Sequence, residues 1–190
     1  MAGSRTIKTL TALFVAMTMG SLALMILETD PIRPSASLAV LSPPPAGAAN
    51  AIYEADVPLQ PGRWRNVIVH AAGRPTAEIT RECHFLVIAD GGRGKVTATA
   101  NWRRQQDGQH VGGYWRRKSI GVCLIGDFSR RAPQPGQFGE LVDLVNTLQE
   151  VCRIPAERVY LRSDLDARST SPGRAFPVAR FSARLLRPQP

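Results

Sequence analysis

Histidine and cysteine are scarce in this chain, three of each among 190 residues. Cys83, Cys123 and Cys152 lie too far apart for a paired-cysteine metal knuckle, and an odd number does not close a disulfide framework. Cys123 falls in an apolar run and Cys152 on the inner face of a helical pattern, where each reads as a small buried hydrophobe. His70, His84 and His110 are not accompanied by serine and aspartate in a triad order. Internal repeats are absent. Acidic residues are in the minority, 15 against 24 lysines and arginines, for a net charge of +9. That imbalance favours anionic partners such as nucleic acid, acidic lipid or an acidic wall polymer, and leaves the fold open. No helical pattern carries a basic recognition face, which argues against nucleic acid.

Charge is missing altogether from Thr9 to Leu27. As a helix this run spans about 28 Å, close to the hydrocarbon thickness of a bilayer. Arg5 and Lys8 precede it, and Glu28 and Asp30 follow. Basic before and acidic after predicts residues 1–8 in the cytoplasm and the rest of the chain outside. Leu-Glu-Thr-Asp-Pro is a poor cleavage site, and Ala46-Gly47-Ala48 lies too late for one. The expectation is an uncleaved signal-anchor over residues 9–27, a single-pass protein of the cell membrane with its domain on the periplasmic side. Secretion after cleavage is the alternative. Residues 28–62 are rich in proline, alanine and serine, and read as a disordered, semi-extended spacer.

The remainder predicts a mixed α/β domain. Trp64-Arg-Asn-Val-Ile-Val-His70 and Cys83-His-Phe-Leu-Val-Ile88 read as strands, as does Lys95 to Ala100 beyond a glycine-rich turn. Ser119 to Phe128 is a nearly unbroken apolar run punctuated by Gly121 and Gly126, suited to a strand buried on both faces. Phe138, Leu141, Leu144, Val145, Leu148 and Val151 recur at three-and-four spacing after Pro135-Gly136, predicting a helix over about 137–151. Val159-Tyr160-Leu161 reads as a short last strand, and residues 176–186 as a closing helix.

In this order the pieces resemble the N-acetylmuramoyl-L-alanine amidase and peptidoglycan-recognition family, which includes the phage lysozyme-type amidases. The resemblance runs from Trp64 to about Leu185, so the amidase-like domain is placed at 63–187. Val67-Ile68-Val69-His70 is similar to the family's first strand with its first zinc histidine. His84-Phe85-Leu86-Val87-Ile88 with Asp90-Gly91 is similar to its hairpin. Trp102 and Gly108-Gln109-His110 resemble the segment before the central strand, Ser119 to Phe128. Pro135 and Gln137 resemble the start of its helix. Ile154-Pro155, Ser171-Pro172-Gly173 and Phe176-Pro177 resemble its closing signature. The resemblance implies a central mixed β-sheet flanked by helices, with a cleft for the peptide stem of peptidoglycan. In active members it implies zinc on two histidines and a cysteine or aspartate, activating water against the amide between N-acetylmuramic acid and L-alanine.

The departures fall on the ligand positions. His70 keeps the first, but Arg162 stands at the second, before Ser163-Asp164, and Ser171 at the third. Arginine has no lone pair to give, and a serine hydroxyl is a poor zinc ligand. Cys83 replaces the assisting tyrosine, Ser169 replaces the assisting basic group, and the connection from His70 to His84 is short for the family's helix. The resemblance therefore implies a catalytically degenerate member that binds peptidoglycan or muropeptides, with zinc in the family and none expected here. An active zinc amidase with an altered ligand set is the alternative, and an envelope protein-interaction scaffold is the second. A recruited metal set of His70, His110 and Cys83 is set against structural or substrate-contacting roles for His84 and His110. The expected ligand-contacting residues are His110, Arg162, Trp102 and Tyr114. Of the basic residues at 103–104, 116–118 and 130–131, most read as a solvated surface.

Overall fold

In the computed structural model, residues 46–73 and 75–187 are described. The helix α1 (Ala46–Tyr53) precedes strand β1 (Asn66–Ala72), helix α2 (Ala77–Glu82) and the hairpin β2 (Phe85–Asp90) and β3 (Arg93–Ala98). Short helices α3 (Ala100–Arg103) and α4 (Gly113–Lys118) lead into β4 (Ser119–Ile125). The long helix α5 (Pro135–Cys152), strand β5 (Val159–Leu161) and short helices α6 (Arg162–Leu165) and α7 (Val178–Ser182) complete the chain.

The five strands form one sheet in the order β3-β2-β4-β1-β5. β2–β4, β4–β1 and β1–β5 are parallel, and only the β2–β3 hairpin is antiparallel. β4 is central and every one of its residues is buried, as its uninterrupted apolar sequence requires.

Alternation along the strands separates two faces. Val67 and Val69 of β1, Phe85 and Val87 of β2, and Ile120, Val122 and Leu124 of β4 join the main core. α5 covers that face with Phe138, Leu141, Leu144, Val145 and Leu148, its apolar stripe. The start of α5 is tied to the sheet. Pro135 opens its first turn, and a Cβ at Gly136 would collide with the backbone of Gly92 and Arg93. Buried Gln137 donates through Nε2 to the carbonyls of Val87 (3.0 Å) and Ile125 (2.8 Å), closing the ends of β2 and β4. The opposite face carries Leu86, Cys123 and Ile125, with Cys83, Ile79, Ile88 and Ala72 against them.

Two features depart from the expectation drawn from sequence. Residues 46–53, assigned to the disordered spacer, form α1, whose Ala48, Ala51 and Ile52 are buried against α5 and β3. Alanine supplies helix propensity, and this small apolar stripe fits the space beside α5. Trp102, expected to contact ligand, is fully buried. Its indole donates to the Ile52 carbonyl at 2.9 Å and its ring lies 4.6 Å from that of Phe85. The expected membrane segment at 9–27 lies outside the described residues. Among the described residues, no helix is long and apolar enough to cross a membrane.

If α1 is part of the core, Ile52→Ala lowers unfolding stability by about 2–4 kcal/mol, while Tyr53→Ala, at an exposed position, changes it by less than about 0.5 kcal/mol. Urea titration of the full chain measures both. Equal, negligible effects would return residues 46–53 to the spacer.

Candidate functional site

β1 and β4 are parallel neighbours, and their register sets His70 opposite Cys123. Both side chains therefore project from the face away from α5. β2 adjoins β4 on its other side, and the chain entering β2 brings Cys83 to the same place. His70 Nε2 lies 3.2 Å from Cys83 Sγ. One donor atom from each of His70, Cys83 and Cys123 falls within 4.8 Å of the others. His70 is 2% exposed, and both cysteines are fully buried and carry free thiols.

The two thiols are electrically unequal. The hydrogen bond from Cys83 holds the Cys123 thiol down and His70 adds to this, while the same contact and burial push Cys83 up. Of the two, Cys83 is the thiol that holds its proton more tightly. Arg162, at the start of α6, lends its positive charge to this cluster, opposing the rise at Cys83 and adding to the burial that lowers His110.

His84 and His110 sit beside the cluster with distinct tasks. His84 Nδ1 accepts from the Gly121 amide at 2.9 Å, so its Nε2 carries the proton and donates to the Gln106 carbonyl at 2.9 Å. With both nitrogens engaged, His84 is a structural link between β2, β4 and the loop before α4. His110 Nδ1 meets the Glu82 carbonyl at 3.2 Å, and its buried Nε2 has no hydrogen-bond partner. The His110 ring lies 6.4 Å from that of His70, near parallel, and rests on Gly121, where a Cβ would collide with it. Burial lowers His84 to about 3 and His110 to about 4, so both are neutral imidazoles.

The expected residues are thus partly regrouped. Arg162 and Ser171 do converge on the end of β1. Leu161, just before Arg162, pairs with Val69, and the Ser171 hydroxyl accepts from the Ala71 amide at 2.8 Å. That bond fixes Ser171 as a backbone clasp; its carbonyl also accepts from Ser163 N at 3.0 Å. Ser169 Oγ accepts from Ser171 N at 3.2 Å, a local turn contact. His110 is fully buried, so its expected contact with ligand is corrected to a place inside the wall of the site. Tyr114 is 62% exposed on α4, edge-on to Trp115, which in turn meets Tyr160. The recruited set of His70, His110 and Cys83 becomes His70, Cys83 and Cys123. Cys123 was missed because a cysteine in an apolar strand looks like any core residue. Only the pairing of β4 with β1, a contact between residues 53 apart, sets it beside His70.

The zinc implied by the family does not fit the positions that carry it elsewhere in the resemblance. Arg162 offers no lone pair and the Ser171 hydroxyl is committed to the β1 backbone. Only His70 there is a ligand for zinc.

The fold is that of the N-acetylmuramoyl-L-alanine amidases. The endolysin LysCS, an N-acetylmuramoyl-L-alanine amidase from Clostridium intestinale, superposes with a TM-score of 0.55 at 17% identity, over 67% of this chain and 91% of its own. AmiD from E. coli, an N-acetylmuramyl-L-alanine amidase solved with the substrate anhydro-N-acetylmuramic acid-L-Ala-D-gamma-Glu-L-Lys, gives 0.55 at 17% identity, over 70% of this chain and 62% of its own. Peptidoglycan recognition protein-LE, solved with tracheal cytotoxin, gives 0.48 at 19% identity, over 65% of this chain and 82% of its own. No curated protein sequence matches the chain. The family model described as N-acetylmuramoyl-L-alanine amidase matches residues 60–174, and the chain belongs to that family.

The neutral histidines make stability depend on acid. Their folded pKa values lie below the unfolded value of 6.5, so the unfolded chain takes up protons first. Their contribution is complete above pH 6.5 and is lost as pH falls toward 4 for His110 and toward 3 for His84, on the order of 3 and 5 kcal/mol respectively. Denaturant midpoints of the full chain, measured from pH 7 to pH 4.5, are expected to fall steeply below 6.5. A flat profile would show that these rings are not buried neutral.

Proposed function

We propose that this protein is a peptidoglycan-binding member of the amidase family that recognises the peptide stem without hydrolysing it. The observation that carries this reading is the pair Arg162 and Ser171 at the end of β1, where the resemblance calls for two zinc ligands. One brings a fixed positive charge and the other a hydroxyl already engaged by the Ala71 amide. With only His70 left from that set, no water is activated there for attack on an amide.

The same substitution supplies a binding group. A stem of the kind seen in the AmiD complex contains D-gamma-Glu, whose free carboxylate suits a guanidinium. Arg162 is in neither of the two ion pairs found among the described residues, Arg63–Asp107 and Arg103–Glu54. Tyr114, on the surface of α4, adds an aromatic face for sugar or peptide. In this reading the apolar segment at 9–27 tethers the domain to the membrane on its outer side, where its ligand is. Support for that placement comes from the charge asymmetry around the segment alone.

Full-length protein incubated with purified sacculi tests the reading. Expected are co-sedimentation, a loss of at least about fivefold in muropeptide affinity in Arg162→Ala, and no release of stem peptides. Amide cleavage that disappears in His70→Ala would contradict it and favour an active amidase with another ligand set. Absence of binding to both sacculi and muropeptides would leave the scaffold role.

A further inference from the structure

The His70, Cys83 and Cys123 cluster lies outside what stem binding requires. It is closed to solvent, whereas a stem must be reached from the surface. It also joins three parts of the fold: β1, the entry to β2, and β4.

The donor chemistry is specific. Two thiols and an imidazole nitrogen are the soft ligands that select zinc or copper(I) over calcium or magnesium. Around a tetrahedral zinc, with Zn–S near 2.3 Å and Zn–N near 2.0–2.1 Å, donors stand about 3.6–3.8 Å apart. Here His70 Nε2 and Cys83 Sγ are 3.2 Å apart, and all three donors lie within 4.8 Å of one another. Shifts of a few tenths of an ångström to about one ångström bring them to that spacing. Two thiolates with a neutral imidazole balance a divalent cation, which removes the cost of burying net charge. A further lone pair lies in the same wall: His110 Nε2, buried, unpartnered, on a ring near parallel to that of His70.

We propose that His70 Nε2, Cys83 Sγ and Cys123 Sγ bind one thiophilic cation, zinc or copper(I), at a closed structural site that pins β1, β2 and β4 together. The site shares His70 with the family's arrangement and takes its other ligands from different strands. Binding displaces thiol protons, so affinity falls as pH is lowered. Shut off from solvent, the site admits no substrate, and its metal acts on stability. It stands independently of stem recognition.

The test uses reduced full-length chain, with cobalt(II), zinc and copper(I) titrated separately. Expected are one equivalent bound, the near-ultraviolet thiolate-to-cobalt band with visible bands of tetrahedral cobalt, and a raised melting temperature. Cys83→Ser, Cys123→Ser and His70→Gln each weaken binding by about 100-fold or more, and Cys152→Ser, on α5, does not. Should a variant not fold, the wild-type chain still decides the matter. Bound metal must protect Cys83 and Cys123, and not Cys152, from alkylation under mild denaturant, as read by mass spectrometry. Three results would overturn the proposal: no stoichiometric uptake of any of the three metals, uptake retained in the Cys83→Ser/Cys123→Ser double variant, or a Cys83–Cys123 disulfide in the native protein. Copper(I) without zinc would assign the metal to three-coordinate soft chemistry at the same residues. Sacculus binding is measured on the same samples, so failure of one reading is not mistaken for failure of the other.

Discussion

The parallel register of β1 against β4 is the constraint on which the rest depends. It sets Val67 and Val69 beside Ile120 and Val122 on the helix-covered face, and His70 beside Cys123 on the other. A slip of one residue would turn His70 into the main core and carry Val69 to the face of Cys123. Apolar burial on one face therefore fixes the polar geometry on the other. α5, held by Gln137 at the ends of β2 and β4, locks the order of the strands that makes this pairing possible.

On that frame the site face is a buried polar layer with its requirements mostly met inside the protein. His84 satisfies the Gly121 amide and the Gln106 carbonyl, Ser171 satisfies the Ala71 amide, and Cys83 Sγ meets His70 Nε2. The family fold is kept around this layer. Arg162 and Ser171 lie at the end of β1, and two cysteines lie nearby, Cys83 at the entry to β2 and Cys123 on β4.

Much of the fold was legible from local pattern. The β-branched run at Val67–Val69, the apolar Ser119–Ile125 and the three-and-four spacing of Phe138 to Leu148 each encode their element in one stretch of chain, and each is where it was expected. α1 was not legible, because Ala48, Ala51 and Ile52 make a weak stripe among prolines and gain their value only against α5. Trp102 and His110 were misplaced for a related reason. An aromatic or histidine in a polar stretch reads as exposed, and only tertiary packing buries it. The place of Arg162 and Ser171 at the end of β1 comes from the pairing of β5 with β1 and from the Ser171–Ala71 bond. The place of Cys123 required strand register, which no local pattern contains.

The central claim is that His70, Cys83 and Cys123 form a closed metal site between β1, the entry to β2 and β4. X-ray absorption at the zinc edge of the zinc-loaded full-length protein measures this most directly. The account predicts two sulfur scatterers at about 2.3 Å together with imidazole nitrogen at about 2.0 Å. A first shell of nitrogen and oxygen alone would contradict it, returning any metal to His70 and the groups around Ser171.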